Sequence, residues 1–415
     1  MSTIALIIFC GLLLIAYLFD LTASKTKIPS VILLLLLGWI VKQLAINFEI
    51  VLPDFSTLLP VLGTVGLILI VLEGSLDLEL NSSKLSVLKK SLIGSLLPML
   101  FFAFLLGYMF YYFGDGSFKD SLTNAIPFCI ISSAIAIPSV RNLAQSHKEF
   151  VIYESSLSDI FGVIFFNFIA LNEIFDLNSF GHFGLQIVII TVISFIATII
   201  LSFFLSKIEH HIKFIPIILL VILIYFISKI FHLPALIFIL LFGLSIGNLD
   251  ELKKYKWIQR FKPDALKHEV EKFKELTVEV AFLIRSVFFL LFGFLIETSE
   301  ILNTDTLVWS IGIVLAIFGF RTIQLKLSNL PLKPLLYVAP RGLITILLFL
   351  SIDPADNINL ANKSLIIQVI LLTALLMMFG LMTNKKEVEP VLEINILENS
   401  EKELQCKEKM VITKI

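Results

Sequence analysis

Charge is scarce in this chain. Only 16% of its 415 residues are Asp, Glu, Lys or Arg, and the formal net charge is −1. A soluble protein carries roughly a quarter of its residues charged, so water is not the solvent for most of this molecule. Near-neutrality excludes nucleic acid as a partner, because a phosphate backbone needs a concentrated basic face. Cysteine is equally sparse: Cys10, Cys129 and Cys406 are far apart, which suggests neither a disulfide framework nor a resident metal site. No cysteine, serine or histidine cluster is placed for catalysis, which argues against an enzyme and against a bound cofactor.

What the chain has in abundance is apolar residues, 58% of the total, with a mean hydropathy of +0.97. Runs long enough to cross a bilayer fall at about 4–22, 29–46, 57–76, 91–113, 121–140, 151–171, 184–206, 214–231, 234–249, 278–296, 306–325, 332–350 and 363–382. These thirteen or so runs predict an all-α, polytopic membrane protein. The first run lacks a basic leader and a small-residue cleavage site, so it reads as a spanning helix rather than a signal peptide.

Charge tests the count. One side of the membrane receives Lys84, Lys89, Lys90, Arg141, Lys148, Lys207, Lys213 and Lys326, while the other holds Lys42, Lys119, Lys229 and Lys363. The positive-inside rule therefore places the N-terminus outside and the C-terminus in the cytoplasm, with the inner membrane of a cell as the expected location. Residues 1–383 form the membrane domain. Within it, 250–277 mixes basic residues with Trp257, Ile258 and Phe261, and reads as a cytoplasmic interfacial linker helix. Residues 384–415 form a short cytoplasmic tail, and His210 and His211 fall in a cytoplasmic loop. The helix number accommodates two six-helix repeats of inverted orientation joined by one helix.

Ionisable residues inside spans are expensive and invite a functional reading. Away from span ends they are Glu73, Glu154, Asp159, Arg285, Arg321 and Arg341. The densest segment is Glu154-Ser155-Ser156-Leu157-Ser158-Asp159. Residues four apart share a helix face, so Glu154 with Ser158 and Ser155 with Asp159 form one polar stripe. Asp159 lies about 12 Å along its helix from the cytoplasmic end, near the midplane. A carboxylate there is costly unless a cation or a proton neutralises it, and the hydroxyls of Ser155 and Ser158 are suitable oxygen ligands. A packing bond or buried ion pair remains the alternative role for these acids. Ser132 and Ser133, followed by Pro138, mark a second segment suited either to a broken helix or to close helix packing. Pro340-Arg341-Gly342 marks a third, in which Arg341 needs an acceptor. Arg321 can reach Glu154 across the bundle or snorkel to the interface. Arg285 is too deep to snorkel easily.

In order along the chain, Leu72-Glu73-Gly74-Ser75-Leu76, Glu154 to Asp159, Phe320-Arg321-Thr322 and Ala339-Pro340-Arg341-Gly342-Leu343 resemble four motifs of the monovalent cation:proton antiporter superfamily. Within it they are most similar to the NhaP/NHE-type sodium:proton antiporters. The resemblance implies a homodimer in lipid, two broken helices crossing near the ion site, and an elevator-type motion. It implies that Asp159 binds cation and proton alternately, with Ser155 as a ligand. Glu154 and Arg321 would form a structural ion pair, and Arg341 and Arg285 would compensate charge near the breaks, beside Pro340. Glu73 is a secondary candidate. Two positions depart from the family: Ser132-Ser133-Ala134 replaces its Thr-Asp-Pro, and Ser158 replaces its asparagine. The cation therefore stays open among Na+, Li+ and K+, and a non-transporting sensor or channel-like descendant is the rival reading.

Overall fold

The computed structural model describes residues 3–26, 28–49, 55, 57–78, 84–141, 143–172, 177–207, 213–231, 233–248 and 263–383, and among these all regular structure is helical. The tail 384–415, His210, His211 and residues 249–262 of the expected linker lie outside the described residues. Helices are what lipid permits: every backbone N–H must be paired within its own segment. Hydroxyl side chains keep to the same rule. Thr22, Ser194 and Thr277 each donate back to the carbonyl four residues earlier, at 2.8, 2.6 and 2.7 Å, so they ride in apolar helices fully bonded.

The chain opens with α1 (Thr3–Thr26), α2 (Ser30–Asn47), α3 (Leu58–Asp77) and α4 (Leu85–Phe113). The fifth span is broken. Helix α5 (Phe118–Ala125) tightens into a 3₁₀ turn at Ile126–Cys129, and the chain restarts as α6 (Ser133–Ser139). Then come α7 (Gln145–Leu171), α8 (Leu177–Lys207), α9 (Phe214–Ile230), α10 (Ala235–Gly247) and the long α11 (Pro263–Leu295). After a single turn at Thr298–Ile301 follow α12 (Thr304–Leu327), a 3₁₀ turn at Leu335–Tyr337, α13 (Leu343–Leu350) and α14 (Lys363–Thr383). Every expected span coincides with a helix or, at 121–140 and 332–350, with two pieces flanking an irregular stretch. One boundary differs. Residues 263–277, expected to be part of a separate interfacial helix, are the first half of α11, because no breaker stands between Pro263 and Leu295.

Packing sorts these helices into two groups. In one, α11 lies against α2 and α3, and α10 against α3 and α8. In the other, α4 lies against α5 and α7, and α12 against α14. The groups meet where α3 touches α7 and α13. The broken fifth span is the most enclosed of the candidate spans, with 89% of its apolar window buried against 6% for α1. That ordering is what an interrupted backbone requires, since irregular chain cannot face lipid.

The contacts between charged ends agree with the count of spans. Lys84–Glu149 and Arg141–Asp20, at 2.9 and 3.0 Å, join groups expected on one side, as do Lys213–Glu269 and Lys274–Asp77. At the opposite end Lys363 pairs with Glu300 at 2.8 Å, and Lys42 donates to the Ile296 carbonyl at 3.1 Å.

Where α2 crosses α11, glycines bring the backbones together. A Cβ on Gly38 would lie 2.1 Å from the Leu290 carbonyl oxygen, and one on Gly293 would lie 2.3 Å from that of Leu35. Gly293→Ala should therefore lose about 1–3 kcal/mol of stability through overpacking, read as a lower thermal midpoint in detergent. Gly312→Ala, with nothing within 4 Å of the new methyl, should leave the midpoint unchanged.

Candidate functional site

The break in the fifth span leaves backbone donors that no helix satisfies, and in a membrane each needs a partner. Three consecutive N–H groups find theirs on two elements, α7 and the second interrupted span. Ile131 N–H donates to Ser158 Oγ at 3.0 Å, Ser132 N–H to the Pro340 carbonyl at 2.9 Å, and Ser133 N–H to Asp159 Oδ2 at 3.2 Å. The Ser133 hydroxyl donates to the same Asp159 oxygen. The polar stripe on α7 thus closes the broken helix, while the second break, at Pro340, closes it from the other side.

The carbonyls at the end of the first half-span are capped by the second. Arg341 Nε donates to Phe128 O at 2.7 Å and Arg341 Nη2 to Cys129 O at 3.4 Å. Thr345 Oγ1 donates to Pro127 O at 2.9 Å. Arg341 Nη1 returns to Ala339 O at 2.9 Å, and its own N–H donates to Thr373 Oγ1 on α14 at 3.1 Å. A cation at carbonyl ends opposes their partial negative charge, so the charge compensation expected of Arg341 acts on the partner break.

Glu154 and Arg321 form an ion pair that is almost fully buried, at 1% and 2% exposure. Gln324, three residues along α12 from Arg321, donates its Nε2 to the same Glu154 oxygen and accepts from Arg321 Nη1 at 3.1 Å. Arg321 Nε donates to Leu335 O at 3.2 Å, and its guanidinium stands 6.0 Å from the centre of the Phe150 ring. Arg321 therefore does not snorkel. It ties α12 to α7.

At the centre lies Asp159, buried, with Oδ2 held by Ser133 and Oδ1 without a hydrogen-bond partner among the described residues. Ser132 Oγ and Ser156 Oγ are likewise buried and unpartnered. Ser156, one turn from Asp159, faces α3: a Cβ on Gly74 would lie 2.8 Å from its oxygen. It was passed over in sequence because one hydroxyl in a serine-rich helix carries no distinguishing signal. Gln324 is a lone amide near the end of an apolar helix and carries no signal of its own in sequence; its three-residue spacing from Arg321 is the one clue.

Not every candidate is gathered here. Ser155 turns its hydroxyl back to the Val151 carbonyl at 2.7 Å and is not among the partners of Asp159. Arg285 sits buried on α11, in the other packing group, and makes no hydrogen bond or ion pair among the described residues. Glu73 on α3 lies within its electrostatic reach but is not bonded to it.

The family model described as "Sodium/hydrogen exchanger, transmembrane" matches residues 10–384. Among solved structures, the sodium proton antiporter MjNhaP1 from Methanocaldococcus jannaschii at pH 8 superposes with a TM-score of 0.68 at 20% identity, covering 91% of this chain and 100% of that one. A structure of the same antiporter from a three-dimensional electron-microscopy map gives 0.65 at 20% identity, covering 94% and 100%. No curated protein matches the chain.

Removing one partner of a buried ion pair strands the other, at about 3–5 kcal/mol. Glu154→Gln and Arg321→Ala should each lower the thermal midpoint markedly. The double variant should be less damaging than the sum of the two, a coupling that a double-mutant cycle on detergent-solubilised protein will measure.

Proposed function

This chain belongs to the sodium/hydrogen exchanger family, and we propose that it exchanges Na+ or Li+ for H+ across the inner membrane through one alternating carboxylate, Asp159. The observation that carries this reading is the divided environment of that side chain. One carboxylate oxygen is fixed by Ser133, and the other is buried with no protein donor. A buried carboxylate oxygen needs a neutralising partner. An alkali cation and a proton can each be that partner, and they cannot be so together.

Competition for Oδ1 is enough to couple the two flows. When the site faces the side rich in protons, protonation releases the cation; when it faces the side rich in cation, the cation displaces the proton. Ser133 orients the carboxylate in both states, while Ser132 and Ser158 add hydroxyl oxygens beside the break. Ser155 joins the ligand set once its hydroxyl rotates away from Val151. Arg341 and the Glu154–Arg321 pair hold the two breaks and α7 in register, which is a positioning role. Pro340 contributes its carbonyl to the same closure; Glu73 on α3 is a secondary candidate, and Arg285 on α11 compensates charge within electrostatic reach of it.

The two groups of helices support an elevator-type motion, in which α7 and the broken spans slide as a unit against α3, α10 and α11. A homodimer embedded in lipid, with its N-terminus outside and C-terminus in the cytoplasm, completes the reading. Exchange is one-for-one: a single acid accepts one cation or one proton, so no net charge crosses. One observation favours K+ as a second reading. The neighbour of Asp159 on the break is the hydroxyl of Ser133 rather than a second acid, and a weaker oxygen field discriminates less against the larger ion.

Reconstituted into proteoliposomes with a trapped pH dye, the protein should collapse a proton gradient on addition of Na+ or Li+, and Asp159→Asn should abolish the response. Undiminished exchange in the variant overturns the assignment of Asp159. Exchange with no cation at all favours the sensor reading, and a response to K+ alone favours the second ion. Clamping the membrane potential should leave the rate unchanged; a potential-dependent rate overturns one-for-one exchange.

A further inference from the structure

We propose that the single turn Thr298–Ile301 is a spare coil that unwinds when the two helix groups slide past each other, and that Lys42 and Gln368 confine the unwinding to it. The proposal rests on the sliding motion inferred above and assigns the residues that accommodate it.

The chain passes from one packing group to the other between α11, which lies against α2 and α3, and α12, which lies against α14. Residues 296–303 make that connection and fall outside both flanking apolar spans. A connection across a sliding seam needs either slack or an element that yields. Slack is missing here, because each end is bonded down. Lys42 on α2 donates to the carbonyl of buried Ile296 at 3.1 Å. Gln368, buried on α14, donates its amide to the carbonyls of Asn303, Ile301 and Glu300 at 2.8, 3.2 and 3.5 Å. One end of the connection therefore belongs to the group of α2, the other to the group of α14.

Between these anchors stands the helical turn, and none of its residues is buried. Glu300 N–H and Ile301 N–H donate to the Glu297 carbonyl at 3.0 and 3.4 Å, and Leu302 N–H donates to that of Thr298 at 3.1 Å. Each of these bonds runs from a residue on the Gln368 side to one on the Lys42 side. Side chains divide in the same way: Trp39 Nε1 on α2 donates to Thr298 Oγ1 at 3.2 Å, whereas Lys363 on α14 pairs with Glu300 at 2.8 Å. The other Glu300 oxygen accepts from Glu297 N–H at 2.8 Å. Relative motion of the two groups loads these contacts first.

Opening them costs little, because the freed N–H groups lie beyond the spans and meet water rather than lipid. The turn has four residues. Passing from a helical rise of about 1.5 Å per residue to an extended rise of about 3.3 Å, they gain about 7 Å of reach. One helical turn is about 5.4 Å, a step by which packed elements ratchet past each other. The coil therefore covers a slide of one turn while α12 stays whole beyond Asn303. Lys363 also reaches the Leu295 carbonyl at 3.3 Å, and that bond across the seam is one the slide has to break.

The test staples the turn shut. In a background lacking Cys10, Cys129 and Cys406, Thr298→Cys and Leu302→Cys are bridged by m-xylene dibromide, which holds residues four apart in a helical turn. Thr304→Cys and Val308→Cys, bridged in the same way, staple the start of α12 as the control. Before bridging, both variants should exchange Na+ for H+ near the wild-type rate. Bridging 298 to 302 should lower kcat about tenfold with little change in KM, and bridging 304 to 308 should lower neither. Undiminished exchange with the turn stapled, or equal loss from both staples, overturns the proposal. Independently of transport, the amides of Glu300, Ile301 and Leu302 should exchange hydrogen about tenfold faster than those of Val308 to Ile311. Gln368→Leu should extend the fast exchange past Asn303 into α12. Protection of the turn equal to that of α12 overturns the coil, and an unchanged pattern in Gln368→Leu overturns the anchor. A wild-type protein that exchanges no cation counts against the reading of Asp159, and hydrogen exchange then decides the coil by itself.

Discussion

The structure depends on one constraint: a helix broken inside a membrane must hand every freed backbone group to a partner. The break after Cys129 releases N–H groups at Ile131, Ser132 and Ser133 and strands the carbonyls of Pro127, Phe128 and Cys129. Ser158, Pro340 and Asp159 accept from the first set, and Thr345 and Arg341 donate to the second. Asp159 is therefore both a backbone partner and the candidate ion ligand. Its two oxygens differ in their surroundings: one closes the break, and the other has no hydrogen-bond partner among the described residues.

That double role explains the surrounding architecture. A carboxylate positioned by a break moves with it, so α7, α5 and α6 have to behave as one piece, and the Glu154–Arg321–Gln324 network fastens α12 to that piece. Burial of this network is costly in itself, and a well-packed apolar substitute is often as stable. Its presence makes sense as registry: it fixes which turn of α12 meets which turn of α7. The other group of helices is held differently, by glycines that bring α2 and α11 into backbone contact.

Much of this was legible in the sequence. The spans followed from apolar runs and alternating charge, and the ends that were expected to share a side are joined by ion pairs such as Arg141–Asp20. The Glu154–Arg321 pair was anticipated as well, because two deep charges of opposite sign have few other fates in lipid. Less legible was the state of each hydroxyl. Ser155 and Ser158 look equivalent in a serine-rich stripe, yet Ser155 bonds its own helix and Ser158 bonds the break. Arg341 was expected to need an acceptor, but nothing in its neighbours along the chain says that the acceptors lie more than two hundred residues earlier. The linker's second half joined α11 because helical propensity does not stop at a membrane surface.

What the sequence determined by itself is the solvent and the repertoire: lipid around the chain, helices through it, and a handful of charges too costly to be incidental. Those conclusions need only local information, since hydrophobic length and charge position act residue by residue. Tertiary structure decided which oxygen does what. Whether a buried serine satisfies its own helix, a broken neighbour or an incoming ion depends on distances across the bundle, and a linear pattern contains none of them. That one oxygen of Asp159 has no partner among the described residues is a property of packing, visible only once the hydrogen bonds around it are traced.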